Sequence, residues 1–298
     1  MVHMRVNRNN VFKGPFWPIF LATIVFGFGL FILLNIVKPA STDQVFNEAL
    51  SNQMQSDSIY RSKVIEQGKT TQSQVTQVQF GGQDGPVSRD VVKISNTANG
   101  QKSSVETEGV GTNDADYIRY VSLETNGNKS DSKILGKWAA NKATEEQSAQ
   151  FLDNAVFGSP VISGVPSAKI RKELMQEITK TGSFKIEKVD TNATVNGQTA
   201  YKYTAKINLK TYIPIFQQYL RSVGMEEAAS KISAPRQDSF LPITLFVDPT
   251  TKTIIKAENS EGGATAEEYY TKTKYIVPPS VPKVGITVSE LQEGLSSQ

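Results

Sequence analysis

The sequence predicts an α+β protein, with an N-terminal transmembrane helix followed by a large antiparallel sheet that has helices packed on one face. Three observations support this fold class. One uncharged apolar run lies near the N-terminus. Several later segments alternate apolar and polar residues between turn sequences. Amphipathic helical segments interrupt these strands without the regular strand–helix alternation that parallel sheets require.

The apolar run comprises residues 16–37 and contains no charged residue. At 1.5 Å per residue, a helix of this length matches a hydrocarbon core roughly 30 Å thick. Arg5, Arg8 and Lys13 precede the run, and the first acidic residues follow it. Because positive residues stay on the cytoplasmic side, we expect the N-terminus to be inside. The predicted organisation is a cytoplasmic tail at 1–15, a transmembrane helix at 16–37 and an extracytoplasmic domain at 38–298.

A cleaved signal peptide is the alternative interpretation of the same run. Signal peptides have apolar regions of about 7–15 residues that end at a small-residue cleavage site. Here the run is longer, and Lys38-Pro39-Ala40 after it is a poor cleavage site. The sequence therefore favours an uncleaved single-pass anchor in the cell membrane.

Composition narrows the class of the extracytoplasmic domain. The chain has no cysteine, which rules out disulfides and favours a bacterial envelope protein over a eukaryotic secreted one. The net charge is +3, and the three basic residues of the tail account for all of it. The predicted domain therefore lacks the basic excess that nucleic-acid binding requires, and we expect no nucleic-acid partner.

The first part of the domain reads as one helix and a strand meander. Ser41-Thr42-Asp43 can cap a helix whose apolar residues recur at helical spacing up to Met54. Strands are expected over about 70–140, including one at Ile134, Leu135 and Trp138. Turn sequences between them, such as Asn126-Gly127, tolerate the positive φ of tight hairpins.

The second part combines helices with further strands. Helices are predicted over 143–181, with Gly182 as the stop, and from Pro214 to Gly224. The clearest strand alternates apolar residues from Tyr201 to Leu209 with lysines and other polar residues. Two more strands flank Asp248-Pro249-Thr250, another contains Tyr269 and Tyr275, and a short helix is expected around Leu291.

In this pattern the chain resembles the LolA/LppX-type lipoprotein-carrier family. The resemblance implies a curved antiparallel sheet, a half-barrel with helices packed on its concave face, which can hold an acyl chain. The lipobox cysteine of the lipoprotein members is missing, and the predicted membrane helix stands in its place. The matching features are the helix Val45–Met54, the meander with Trp138, the helix Ala168–Thr179, the segments Asn196–Leu209 and Ile243–Glu258, and the Tyr269-Tyr270 strand.

Aromatic residues on these strands are the candidate ligand-binding group. On a concave sheet face they can line a hydrophobic cavity, or they can pack against helices as ordinary core. Both interpretations remain open at this stage. The candidate cavity residues are Tyr201, Tyr203, Ile207, Leu209, Ile243, Leu245, Val247, Tyr269 and Tyr275.

Signals for catalysis and metal binding are weak. The single histidine, His3, lies on the predicted tail, so no Ser-His-Asp triad or His-ligated metal site is expected in the domain. Ser130–Lys133 and Lys180–Gly182 fit motifs of serine β-lactamase-type enzymes, but no S-D-N lies between them. Asn113, Asp114 and Asp116 could supply oxygen ligands to calcium, or form a solvated turn. We therefore expect no catalytic residue, no metal and no cofactor.

The sequence favours a membrane-anchored extracytoplasmic protein that binds a lipid or another apolar ligand and is not an enzyme. The alternative is a non-enzymatic structural or protein-interaction module of the cell envelope, whose partner would be another envelope protein.

Overall fold

A computed structural model describes residues 40–56, 58–82, 85–98, 100–142, 150–165, 167–261, 264–270 and 280–296. Almost all of them belong to one compact unit, Thr42–Gln298. The predicted membrane span at 16–37 lies outside the described residues. Within the described residues, no helix combines the length and the apolar character needed to cross a bilayer.

Helices occur where amphipathic spacing predicts them at the start of the domain, before Gly182 and near Leu291. The part of the predicted helical region at 143–149 lies outside the described residues. The described helices are α1 (Thr42–Met54), α2 (Phe151–Phe157), α3 (Ala168–Thr181), α4 (Leu209–Ser222), α5 (Glu226–Lys231) and α6 (Val288–Ser296).

The described strands form one antiparallel sheet, which confirms an α+β fold with a large antiparallel sheet. Its order is β6-β5-β4-β3-β2-β1-β12-β11-β10-β9-β8, with β7 paired to β5. Two meanders are thus joined through the β1–β12 pair. The strands are β1 (Ser58–Gln67), β2 (Thr70–Gly82), β3 (Gly85–Ala98), β4 (Gln101–Gly111), β5 (Ala115–Thr125), β6 (Asn128–Lys129), β7 (Ala139–Lys142), β8 (Phe184–Val195), β9 (Gln198–Asn208), β10 (Phe240–Asp248), β11 (Thr253–Glu261) and β12 (Ala264–Tyr270).

Turn and cap residues act as the sequence predicts. Asn126 and Gly127 have φ values of 53° and 81°, and Asn196 and Gly197 have 51° and 79°. Positive φ at both central residues matches the twist of a two-residue hairpin. Gly182 ends α3 in the left-handed conformation, and its N–H bonds the last carbonyl groups of the helix.

One predicted helix start and one predicted strand are wrong. Pro214 lies inside α4, which begins five residues earlier because the side chain of Asn208 caps it by accepting from Lys210 N. Ile134 and Leu135 lie in a turn, where Ile134 packs against Leu291 of α6, and not in a strand. Their apolar character reflects this contact with the helix.

One face of the sheet, here called the helix face, carries the helices. On it α1 packs over β10 and β11, where the ring of Phe46 lies 5.0 Å from that of Tyr203. The shorter helix α2 packs over β2–β4. Its close approach depends on Gly109 and Gly111, because a Cβ at Gly111 would lie 2.4 Å from Leu152 N. The opposite face is called the outer face.

Candidate functional site

Of the predicted cavity tyrosines, Tyr203 lies beneath α1. Tyr203 has no exposed surface, and its hydroxyl donates to the carbonyl of Thr42 at 2.8 Å. Burial raises the pKa of Tyr203 well above its usual range. Cross-strand pairing joins Tyr203 to Leu245 and Tyr201 to Val247, so these side chains share the helix face. The other candidates that are buried there are Ile207, Ile243, Leu245 and Val247.

The remaining candidates have different positions. Tyr201 is half-buried beside Tyr203, with ring centroids 6.5 Å apart. Leu209 is the first residue of α4 and is also half-buried. The backbone of Tyr269 pairs with Lys256 and Ser62. Tyr275 lies outside the described residues, so the complete group stays a prediction.

The buried segment 159–165 packs against the aromatic side of α4. The Tyr212 hydroxyl donates to the Pro160 carbonyl at 3.0 Å, and that of Tyr219 bonds the backbone of Ser163. Gln53 donates to the Ser163 hydroxyl at 2.8 Å. Gly164 has φ +72°, and a Cβ there would lie 2.0 Å from the ring of Phe80. Polar atoms of this segment are thus satisfied by fixed side chains, which is how a buried loop becomes stable.

The other half of the helix face carries an apolar row that no sequence signal singled out. Cross-strand register places one residue from each of β1, β3, β4 and β5 in line, with Gln72 of β2 between the first two. All lie near the hairpin ends, beyond the part of the face that α2 covers. Ile94 remains 42% exposed, and the others are half-buried. This set, called the apolar row, is Ile65, Ile94, Val105 and Leu123.

The size of the apolar row suits an elongated ligand. It crosses five neighbouring strands, which at about 4.8 Å per spacing gives a length of roughly 19 Å. Next to it, Val92 continues the apolar surface toward α2, whereas Tyr120 packs against a buried cluster that α6 helps to form. A single exposed apolar side chain is common, but Ile94 is exposed beside the half-buried Val105 and Leu123, and such a patch suits a binding surface.

Polar side chains replace the apolar ones closer to α2. The buried guanidinium of Arg61 donates to the Ala155 carbonyl at the C-terminal end of α2, where a cation is favoured by the helix dipole. In the same cross-strand row, Asp90 accepts hydrogen bonds from Thr76 and from Gln74, the latter at 2.9 Å. Burial raises the pKa of Asp90, against these hydrogen bonds and the charge of Arg61.

The outer face carries an ionic cluster at the same strands. Glu108 binds Arg89 at 2.6 Å and Arg119 at 2.8 Å, and the Arg119 guanidinium lies over the ring of Trp138. Burial raises the pKa of Glu108, but the two arginines outweigh it and lower the pKa overall. One carboxylate thus pairs with an arginine on each neighbouring strand and links β3, β4 and β5 on this face.

Surface cavities lie away from the predicted tyrosines. A polar cavity of about 290 Å³ lies between Asn113, Asp153 and Glu227, and a shallow groove of about 920 Å³ runs beside Met175. A third, of about 310 Å³, adjoins Ile59.

The predicted calcium ligands are separated by their contacts. Asp116 accepts from Gln150 N and Phe151 N and so caps α2, whereas Asn113 donates to the Gly224 carbonyl. Among the described residues, no group of three metal-ligating side chains is brought together.

Comparisons with known proteins give structural similarities alone. No protein-family model matches the chain, and no curated protein matches it. LprF from Mycobacterium bovis has a TM-score of 0.39 at 11% identity, covering 82% of this chain and 98% of that protein. The Mycobacterium tuberculosis lipoprotein LppX has a TM-score of 0.35 at 12% identity, covering 78% and 96%. A DUF1329 family protein from Desulfovibrio piger has a TM-score of 0.26 at 11% identity, covering 81% of this chain and 95% of that protein.

Proposed function

We propose that this chain is a membrane-anchored extracytoplasmic protein that binds a lipid or another apolar ligand on the helix face of its first meander. The observation that carries the proposal is the apolar row. An apolar surface that remains exposed on the side of the sheet otherwise covered by helices has a strong tendency to be covered by an apolar partner. The uncharged run at 16–37 supports a membrane anchor, which would keep the domain close to its lipid source.

The chemistry of the row favours an acyl chain. Its members are aliphatic, and Gln72 is the polar residue among them. Each methylene that is buried on such a surface contributes about 0.8 kcal/mol, so a chain that follows the row for most of its length can be held without a charged anchor. A chain that instead runs along β3 from Ile94 has the polar neighbours toward Asp90 at one end.

A photoactivatable dodecyl probe tests the proposal with the full chain in lipid nanodiscs. Cross-linking followed by peptide mapping should label β3, β4 and β5. Ile94→Ser should reduce that labelling roughly tenfold, because it removes aliphatic surface from the centre of the row. Val64→Ser is the matched control, since Val64 is 39% exposed but lies on the outer face. Equal labelling of the two variants would refute the proposed site.

The packing beneath α1 favours a second function, a protein-interaction module of the cell envelope. Tyr203 and Leu245 are fully buried against the chain's own helices, as in a protein whose interior holds no ligand. The apolar row would then contact an apolar segment of an envelope protein. Cross-linking in cells from a photoreactive residue at position 94 separates the two functions, because a lipid adduct supports ligand binding and a specific protein adduct supports the interaction module.

A further inference from the structure

Asp90 lies on the same strand and the same face as Ile94, two cross-strand rows away from the apolar row. Ile94, Val92 and Asp90 alternate on β3, so all three occupy the helix face. Two residues advance a strand by about 6.6 Å, which places Asp90 roughly 13 Å from Ile94. The surface along β3 therefore changes from aliphatic to acidic over a distance that one amphiphile can span.

The carboxylate of Asp90 retains an unused acceptor. Gln74 and Thr76 both donate to Oδ1. In the described part of the chain no hydrogen bond reaches Oδ2, and the residue is half-buried, not sealed from solvent. An ionised carboxylate accepts hydrogen bonds and does not donate them, so this atom suits a donor.

The charged groups around Asp90 are few. On β1, Arg61 occupies the same cross-strand row and Lys63 the next one. On β4, the position beside Asp90 is Gly109, over which the ring of Phe151 packs. Along β1–β5, in the apolar row and the next two rows toward α2, Asp90 is the one carboxylate.

We propose that Asp90 binds the polar end of an amphiphile whose alkyl chain runs along β3 over Val92 to Ile94 in the apolar row, and that this polar end is a hydrogen-bond donor, an alcohol or a protonated amine. The inference rests on the proposed function, since the alkyl chain contacts the apolar row at Ile94. An anionic head cannot donate to the carboxylate and is repelled by it, so Asp90 favours a donor head over an anionic one even though Arg61 and Lys63 lie in the same two rows.

The test compares head groups on one alkyl chain. Photoactivatable dodecylamine, dodecanol and dodecanoate are cross-linked to the full chain in nanodiscs at pH 8, and labelling of β3 and β4 is quantified. The measured quantity is the labelling ratio of each donor probe to dodecanoate, compared between wild type and Asp90→Asn. Partition of each probe into the lipid is the same for both proteins and cancels.

Asp90→Asn is expected to lower the amine ratio, the alcohol ratio or both by about tenfold. Asp153→Asn is the control, because Asp153 is also a carboxylate whose pKa is raised by burial, yet it lies on α2 beside Lys231. It should leave both ratios unchanged. Unchanged ratios in Asp90→Asn would overturn the inference.

Failure of this inference is distinguishable from failure of the proposed function. If all three probes label the row and Ile94→Ser reduces them equally, while Asp90→Asn changes no ratio, the row binds alkyl chains and Asp90 does not select the head. If no probe labels β3–β5 above the level seen with Ile94→Ser, both proposals are overturned.

Discussion

The two halves of the helix face differ in how deeply their central apolar residues are buried, although they belong to one sheet. In the second meander, Tyr203 and Leu245 have no exposed surface beneath α1. In the first meander, Ile94 is 42% exposed and Asp90 keeps an acceptor without a hydrogen bond from the described chain. Both halves alternate apolar and polar residues, so side-chain type does not distinguish core from surface. Whether a helix covers the residue does distinguish them.

The difference in coverage follows from helix length. At 1.5 Å per residue, α1 with its 13 residues is about 20 Å long, whereas α2 with 7 residues is about 10 Å long. The shorter helix covers the inner rows around Gly109 and Gly111, α6 packs near Tyr120 of β5, and Ile94 in the middle of the apolar row stays 42% exposed. The first meander thus has apolar surface to offer a ligand, and the second uses its apolar surface for stability.

The largest expected effect comes from shortening the same kind of side chain in each half. Leu245→Ala should lower the free energy of unfolding by about 2–5 kcal/mol, because it creates a cavity in a closed core. Ile94→Ala should lower it by less than about 1 kcal/mol, because Ile94 is already partly in water. Denaturant unfolding of the two variants measures the difference. Equal losses would mean that the apolar row is also part of the stabilising core.

Glycine substitutions test whether close contact with α2 defines the covered part of the first meander. Gly111→Ala should destabilise the protein by roughly 1–3 kcal/mol, since the new Cβ would meet backbone at 2.4 Å. Gly285→Ala is the control, because its nearest contact would be at 4.0 Å and its effect should be small. Thermal unfolding measures both. A neutral Gly111→Ala would show that α2 can move away from the sheet without loss.

The sequence predicts local elements here better than it predicts the site. Asn126-Gly127 and Gly182 mark a turn and a helix end because their backbone conformations are dictated locally. Pro214 misleads, because the cap at Asn208 starts the helix earlier. The exposure of Ile94 depends on strand register and on the reach of α2, which arise from contacts far apart in the chain. A ligand role for Tyr201 and Tyr203 stays a prediction.

The smallest expected effect concerns the free energy of unfolding of the ligand-free protein. Its pH dependence should receive opposite contributions from the two faces of the first meander. Burial raises the pKa of Asp90 above its ordinary 3.8, so the folded state binds the proton more tightly and stability falls as pH rises from about 3.8 through the raised pKa. For Glu108 the arginines lower the pKa below 4.5, so its contribution is present above that pH and is lost as pH falls.

Asp90→Asn and Glu108→Gln should therefore change the pH profile of unfolding in opposite directions. With rising pH, the stability of wild type relative to Asp90→Asn should decrease, and relative to Glu108→Gln it should increase. Urea unfolding between pH 3 and pH 7 resolves the two slopes. Parallel slopes would mean that both carboxylates are held by their neighbours as ion pairs. Asp90 would then have no acceptor for a ligand, and the first meander would no longer differ from the second in having a carboxylate that can bind one.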